Sequence, residues 1–193
     1  AFRSSLGIGV IVGAGVAVLF KGAAKSFFQS LSSSRGSIGI VAVVCAASAL
    51  ILTGAAGVPL VPSFLATVGV WITVVMAATI TGQTGIDPME IFGILVLLAI
   101  RTIWQIGGKE AFLVASVVAV ATGLAGDAMQ DLRAGSILGT EPRAQLVSEM
   151  AGGIAGAVAA AFTLFLLREA FGTMGPGTGL AAPQAFAVRS MID

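Results

Sequence analysis

The sequence contains no histidine, and Cys45 is its only cysteine. Histidine is the side chain that most readily exchanges a proton near neutral pH, and it is the commonest transition-metal ligand. Any proton relay in this chain must therefore use carboxylates. Cys45 lies within the apolar run VAVVCAASAL, which is typical of a cysteine that packs as a small buried hydrophobe. Nothing in the sequence resembles a disulfide framework, and we expect neither a metal site nor a bound cofactor.

Charged residues are also scarce, at 10% of the chain, whereas 57% of its residues are hydrophobic. The mean hydropathy is +1.04, and a soluble domain carries about 25% charged residues. A water-soluble fold of this size buries only about 70% of its surface, which is too little to hide so many apolar side chains. A lipid bilayer removes this conflict. The net charge of +1 provides no basic surface for nucleic acid. The composition predicts an integral, multi-pass membrane protein.

Six apolar segments are long enough to be membrane spans or near-spans, because a span needs about 20 residues. They are Leu6 to Phe20, Ile38 to Thr53, Pro62 to Thr81, Ile91 to Ile106, Ala111 to Ala125 and Val147 to Leu167. These continuous runs lack the alternation of apolar and polar residues that is typical of membrane β-barrels. We therefore predict an all-α, polytopic transmembrane helical bundle whose helix junctions are interrupted by glycine and proline.

Two GxxxG motifs lie within the apolar segments. Gly9 and Gly13 form the first, and Gly152 and Gly156 form the second. Small residues one helical turn apart allow the backbones of two membrane helices to approach closely. We expect helix packing at both motifs, with a role in lining a substrate path as the alternative.

The first polar segment is TGQTGIDPME, residues 81–90, which joins the third and fourth apolar segments. Its glycines and proline are expected to stop helix on both sides. Asp87 is placed to cap a helix that begins at Pro88, and Glu90 then lies in the first turn. The segment is either a surface turn or a break at membrane depth that lines a cavity. Its candidate substrate- or proton-binding residues are Gln83, Thr84, Asp87 and Glu90.

The second polar segment is GDAMQDLR, residues 126–133, directly after the fifth apolar segment. If the helix continues, Asp127, Gln130 and Asp131 lie on one face, at spacings of three and four. Two carboxylates one turn apart repel each other, which favours a shared proton, and Arg133 could compensate one charge. The alternative is a solvated helix end with exposed charges.

The sixth apolar segment has its own entry signals and one acidic residue. Thr140, Glu141 and Pro142 are typical of a helix cap followed by an early-helix proline. Glu149 follows in the same helix, just before a stretch rich in glycine and alanine. If Glu149 lies within the hydrocarbon, it must face protein or water, so it is a further candidate for substrate or proton binding.

The stretch GDAMQDLRAGSILGTEPRAQLVSEMAGGIAGAV, residues 126–158, resembles the oligopeptide transporter family, most closely its prokaryotic and yellow stripe-like branch. The matching positions are Gly126, Asp127, Gln130, Asp131, Arg133, Gly135, Pro142 and Arg143. Arg133 stands where the family more usually has lysine, which keeps the charge. A Pro-Gln segment at residues 180–185 also looks like the family's.

This resemblance implies a secondary active transporter that couples protons to the symport of small oligopeptides or metal-chelate complexes. Its partners would be lipid, protons, the transported substrate and the remaining helices of a longer parent protein. Residues 1–193 would then be an inner portion of one transmembrane transporter domain, truncated at both ends, in the plasma membrane of a prokaryote. The resemblance also favours functional roles for Asp127, Gln130 and Asp131.

Two other classes remain open from the residues alone. The GxxxG faces would suit a structural or assembly subunit that transports nothing, although such a subunit has no need of two polar breaks. An aspartyl-type intramembrane enzyme would use Asp127 with Asp131, but no recognisable protease motif accompanies them. We therefore do not expect an enzyme.

Overall fold

The computed structural model describes residues 38–87, 89–175 and 177–192, and within them every regular element is an α-helix. The helices are α1 (Ile38–Ala56), α2 (Leu60–Thr84), α3 (Met89–Ile103), α4 (Gly108–Leu138), α5 (Pro142–Phe171) and α6 (Pro183–Ile192). The predicted all-α fold is thus confirmed for these residues. The first predicted segment, residues 6–20, lies outside them, as do Gly9 and Gly13.

Four of these helices, α1, α2, α4 and α5, are long and apolar enough to cross a membrane, and α3 is a shorter apolar helix. The predicted segments for α1, α2, α3 and α5 agree with the observed helices to within a few residues at most ends. The fifth segment was predicted too short. The α4 helix continues from Gly108 to Leu138, through both glycine and the charged residues of the second polar segment.

A glycine with positive φ directly follows each of the four long helices, and Gly85 and Gly139 are two of them. Gly85 has φ 72° and donates its N–H to the Thr81 carbonyl at 2.8 Å, which closes the last turn of α2. Gly139 has φ 75°, and the following Thr140 N–H donates to the Gly135 carbonyl at 2.9 Å. Other residues rarely adopt this conformation. The short α2–α3 and α4–α5 connections therefore follow from local sequence.

The described residues divide into two compact units, one up to Met129 and one from Gln130 onward, and the division falls inside α4. In the first unit, one apolar cluster contains residues from each of the helices α1, α2, α3 and α4 and from the α1–α2 turn. Its buried members are Leu52, Val58, Ala66, Ile100 and Val114. A second buried cluster, Met76, Ala77 and Phe92, packs α2 against α3.

Close helix contacts in the first unit depend on glycines outside any GxxxG motif. A Cβ built at Gly69 of α2 would lie 2.6 Å from Val96 Cγ1 of α3. One built at Gly93 of α3 would lie 3.0 Å from the Ala115 carbonyl oxygen of α4. A Cβ at either position would require its neighbour to shift, so small residues set the helix separation here.

Buried hydroxyl groups in the first unit have hydrogen-bond partners. Thr122 Oγ1 lies 2.6 Å from the Val118 carbonyl oxygen and 3.2 Å from Thr73 Oγ1, and this second contact joins α4 to α2. Ser63 donates to the Val58 carbonyl at 3.2 Å. Most threonines in these helices bond to the carbonyl three or four residues earlier, which satisfies the hydroxyl without water.

The second unit contains the end of α4, the α4–α5 turn, α5 and α6. Glu141 precedes α5 and Pro142 occupies its first turn, as predicted. No residue of α5 is buried, and no described atom lies within 4 Å of a Cβ built at Gly152 or Gly156. The packing predicted at this GxxxG motif therefore has no partner among the described residues, and it stays a prediction.

Candidate functional site

The α2–α3 turn places Asp87 against α4. Asp87 Oδ1 accepts a hydrogen bond of 3.1 Å from the Met89 backbone N–H, the bond that a helix-capping aspartate makes. The capping role predicted for Asp87 is thus present, although Pro88 lies outside the described residues. Thr81 Oγ1 donates to the Ile86 carbonyl at 3.2 Å, which holds the turn against the end of α2.

Two glycines of α4 form the surface on which this turn packs. A Cβ at Gly126 would lie 2.9 Å from Asp87 Cγ and 3.1 Å from Thr81 Oγ1. A Cβ at Gly123 would lie 2.9 Å from Met89 Sδ and 3.6 Å from Asp87 Oδ2. The absence of side chains at both positions lets the Asp87 carboxyl approach the α4 backbone, next to Asp127.

The electrostatic environment of Asp87 favours its neutral form. Burial of the carboxyl raises its pKa above the ordinary value of 3.8, and the negative charge of Asp127 raises it further. The hydrogen bond from the Met89 N–H lowers the pKa, but it is the smallest of the three effects. Asp87 therefore takes up a proton at a higher pH than an exposed aspartate does.

Asp131, the other predicted acid of α4, lies in the second unit. It lines a cavity of about 290 Å³ between the end of α4 and the start of α5, and Glu149 of α5 lines the same cavity. The polar residues that complete the lining are Thr140, Gln145 and Ser148. Among the described residues, neither lysine nor arginine lines the cavity, so the charged side chains of this lining are both acids.

The Gln145 side chain connects α5 to α4 at this cavity, and it passes directly over Gly135. The Gln145 Nε2 donates a hydrogen bond of 2.7 Å to the Asp131 carbonyl oxygen. Gly135 is buried, and a Cβ at its position would overlap the Gln145 amide. A side chain at position 135 would displace the Gln145 amide from this position.

Glu149 has an unusual environment for a carboxylate. The residue is half-buried, and its Oε1 is shielded from solvent and has no hydrogen-bond partner in the described structure. A buried carboxylate oxygen without a donor is costly, because it has lost its water without a replacement. A donor from outside the described residues would be stabilising at this oxygen.

Three further predicted candidates lie at the ends of the two helices that flank the α2–α3 turn. Gln83 is exposed at the end of α2. Thr84 is exposed there too, and its Oγ1 donates to the Ile80 carbonyl and accepts from the Ile86 N–H. Glu90 lies in the first turn of α3, and its side chain is outside the described residues.

On α4, the helix continues as the functional interpretation required, with spacings of three and four between its polar residues. Asp127, Gln130, Asp131 and Arg133 are all exposed. The sequence interpretation paired Asp127 with Asp131, whereas the structure adds Asp87 beside Asp127 and Glu149 beside the cavity of Asp131. Functional roles for these residues remain proposals.

Sequence reasoning missed the residues that build both places. Gly123 and Thr81 were not selected, and Gly135 was noted only as part of a motif. Gln145 also lacked any pattern of its own. The available signal is a polar residue or glycine within an otherwise apolar helix. This signal does not identify the residues that they contact, because those residues lie far away along the chain.

Several apolar helices of membrane-spanning length, joined by short turns, define an α-helical, multi-pass membrane protein. The family model described as OPT oligopeptide transporter protein matches residues 29–193. The chain belongs to this family, and the family supports a membrane transporter of oligopeptides in general terms. No curated protein sequence matches the chain significantly, and neither does any solved structure.

Proposed function

We propose that the complete protein is a proton-coupled symporter of small oligopeptides in the plasma membrane of a prokaryote. Residues 1–193 would form an inner portion of its transmembrane transporter domain, and no catalytic role is assigned. The observation that best supports proton coupling is the position of the Asp87 carboxyl, which packs against Gly126 beside Asp127. With no histidine in the chain, carboxylates are the groups available to carry the proton.

The proton would act through the charge between the α2–α3 turn and α4. With both acids ionised, Asp87 and Asp127 repel each other. Asp87 is partly buried, and no neighbouring cation among the described residues lowers its pKa. A proton removes that repulsion and favours the close contact of the turn with Gly126. A ligand that binds one conformation better shifts the population toward it. Protonation would thus favour one orientation of an alternating-access cycle.

Asp131 is a second candidate for the same role, through its position one turn beyond Asp127 on α4. The two possible protonation sites affect different parts of the structure. A proton on Asp87 and Asp127 controls the α2–α3 turn, whereas a proton on Asp131 changes the charge of the α4–α5 cavity. Substitutions at each acid separate them.

The test is uptake by the complete protein in proteoliposomes, with and without an inward proton gradient. The panel contains small peptides and metal-chelate complexes, the other cargo that the family resemblance implies. We expect Asp87→Asn and Asp127→Asn to lose acceleration by the gradient while substrate binding persists. Glu169→Gln is the matched control, because Glu169 is an exposed acid near the end of α5 that does not line the cavity.

The outcomes are distinct. If Asp131→Asn alone loses coupling, the proton site belongs to the cavity. If Asp87→Asn, Asp127→Asn and Asp131→Asn all retain the wild-type response to the gradient, proton coupling through these acids is wrong. Uptake of chelates without any uptake of peptides would replace the proposed substrate. A wild-type protein that transports neither would favour a structural subunit.

A further inference from the structure

Thr81 differs from the other four threonines of α2 in where its hydroxyl donates. In the others, the hydroxyl donates to a carbonyl three or four residues earlier in the helix; they are Thr67, Thr73, Thr79 and Thr84. This is the ordinary way for a helical threonine to satisfy its hydroxyl without water. Thr81 Oγ1 instead donates forward to the Ile86 carbonyl at 3.2 Å. Its hydroxyl therefore reaches out of the helix, to the peptide group that joins Ile86 to Asp87.

The Thr81 side chain is buried where α2, the α2–α3 turn and α4 meet. It is 2% exposed, and a Cβ built at Gly126 of α4 would lie 3.1 Å from Thr81 Oγ1 and 3.0 Å from Asp87 Oδ2. The Thr81 carbonyl accepts a hydrogen bond of 2.8 Å from the N–H of Gly85, at the start of the same turn. Thr81 therefore holds the turn at two points, through its carbonyl and through its hydroxyl.

Two hydrogen bonds fix the direction in which Asp87 points. Thr81 holds the Ile86 carbonyl, which belongs to the planar peptide group directly before Asp87. The Met89 N–H holds Asp87 Oδ1 at 3.1 Å. Rotation of that peptide group would turn the Asp87 side chain away from Gly126, so the Thr81 hydroxyl controls how closely the carboxyl approaches α4.

The charged groups around Asp87 make its position important. The α2 helix contains no charged residue, α4 contributes Asp127, and α3 has Glu90 in its first turn. Burial raises the pKa of Asp87, and the charge of Asp127 raises it further. Both effects weaken if the carboxyl moves away from α4 into water. The affinity of Asp87 for a proton therefore depends on the contact that Thr81 holds.

We propose that Thr81 is a positioning residue for the proton site, because its hydroxyl holds the Ile86 carbonyl and thereby keeps the Asp87 carboxyl against Gly126. The inference rests on the proposed proton coupling through Asp87, and it adds the residue that links this acid to α2. A proton that leaves Asp87 restores the repulsion from Asp127, which pushes the turn away from α4. That force acts on the bond between the turn and Thr81, so the charge of Asp87 is transmitted to the end of α2.

The experiment compares Thr81→Val, Thr81→Ser and Thr79→Val in the complete protein. The first measurement is the unfolding temperature in detergent as a function of pH, which gives the midpoint of the pH-dependent loss of stability. The second is the uptake of labelled trialanine by proteoliposomes as a function of external pH, at constant internal pH. Thr79→Val is the matched control, because the Thr79 hydroxyl donates to the Val75 carbonyl within α2.

Thr81→Val nearly keeps the shape of the side chain and removes the donor. We expect the midpoints of both measurements to move to lower pH by up to about one unit, the shift that one hydrogen bond can produce. Thr81→Ser keeps the donor and should retain the wild-type midpoints. Thr79→Val should retain them too, while the loss of its own bond lowers the unfolding temperature at every pH. Thr81→Ala removes the same donor and repeats the test if the valine variant does not fold.

Two results would overturn the positioning role. One is a Thr81→Val variant with the wild-type midpoint of stability; if Asp87→Asn still abolishes the response of uptake to the gradient, the proposed proton coupling stands without Thr81. The other is an equal shift in Thr81→Ser and Thr81→Val, since the hydroxyl would then have no part in it. If wild-type uptake ignores the gradient while Thr81→Val still shifts the midpoint of stability, the proposed function fails and only the positioning of the carboxyl remains.

Discussion

A methyl group added at Gly126 would lie 2.9 Å from the Cγ of Asp87, so this carboxyl packs directly against the backbone of α4. The contact joins residues from two parts of the chain that no local pattern connects. It places Asp87 beside Asp127, and it leaves the carboxyl partly buried. Substitutions at this contact, at the α4–α5 cavity and on the exposed face of α5 should change the stability of the protein.

Gly126→Ala should displace the α2–α3 turn from α4. The added methyl overlaps the Asp87 carboxyl and makes a tight contact of 3.1 Å with Thr81 Oγ1, and overpacking of this kind costs about 1–3 kcal/mol. We expect a lower thermal unfolding temperature of the complete protein in detergent, together with a changed dependence of peptide uptake on pH. The second readout matters because a general loss of stability does not alter the pH profile.

Gly54→Ala is the matched control for this substitution. Gly54 lies in α1, and no described atom is within 4 Å of a Cβ built there. Alanine at such a helical position is expected to be neutral or slightly stabilising. Equal effects of the two substitutions on unfolding and on the pH profile would contradict the role assigned to Gly126.

Asp87→Asn should flatten the dependence of stability on pH. Burial and the charge of Asp127 raise the pKa of Asp87 above its ordinary value of 3.8. Neutral Asp87 is thus favoured by folding, and its stabilisation is complete below pH 3.8 and lost as the pH rises through the raised pKa. Asparagine keeps the capping bond to the Met89 N–H and stays neutral at every pH.

Thermal unfolding measured as a function of pH checks this sign. The wild-type protein should lose stability as the pH rises above 3.8, the ordinary pKa of this carboxyl, and Asp87→Asn should lose less of it over the same interval. Asp127→Asn should lower the pKa of Asp87 and move the loss to lower pH. An unchanged slope in Asp87→Asn would show that another group controls the pH dependence.

Gly135→Ala should loosen the connection between α4 and α5. The new methyl overlaps the Gln145 amide, the far end of a flexible side chain that can move aside. We therefore expect a loss of about 1 kcal/mol, the value of the displaced hydrogen bond to the Asp131 carbonyl. Gln145→Ala removes one hydrogen bond to the Asp131 carbonyl, which is worth about 1 kcal/mol. In the double variant, the shortened side chain at position 145 leaves room for the methyl added at position 135. The loss of the double variant should therefore be smaller than the sum of the two single losses.

A double-mutant cycle on thermal unfolding measures this coupling, which is about 0.5–3 kcal/mol for residues in contact. Strict additivity of the two substitutions would mean that Gln145 does not pack on Gly135 in the folded protein.

Leucine at both Gly152 and Gly156 should destabilise the complete protein. These glycines lie in the exposed helix α5, where the described residues provide no neighbour. Close packing of another membrane helix on this face would be prevented by two large side chains. Ala161→Leu is the control, because this exposed residue lies nearly opposite Gly152 around the helix. If both variants unfold at the wild-type temperature, the GxxxG motif has no packing role.

Much of the helical architecture could be predicted from sequence because composition and local signals determine it. Long apolar runs favour helices wherever lipid is the solvent, since a helix satisfies its own backbone hydrogen bonds. Asp87 caps α3 and Pro142 begins α5, as expected from residues only a few positions away. The prediction for α4 ended too early, at Ala125. Neither Gly126 nor the charged residues after it stop a helix that is already propagating, so α4 continues to Leu138.

The sequence by itself determined the solvent, the helices and the carboxylates available for proton transfer, because these depend on composition and on neighbours within a turn or two. Only the tertiary structure decided that Asp87 meets Gly126 and Asp127, and that Asp131 and Glu149 line one cavity. It also decided that Gly69 and Gly93 set helix separations within the described residues. These relationships depend on which faces of separate helices pack together, and that choice is a property of the whole bundle and of no single segment.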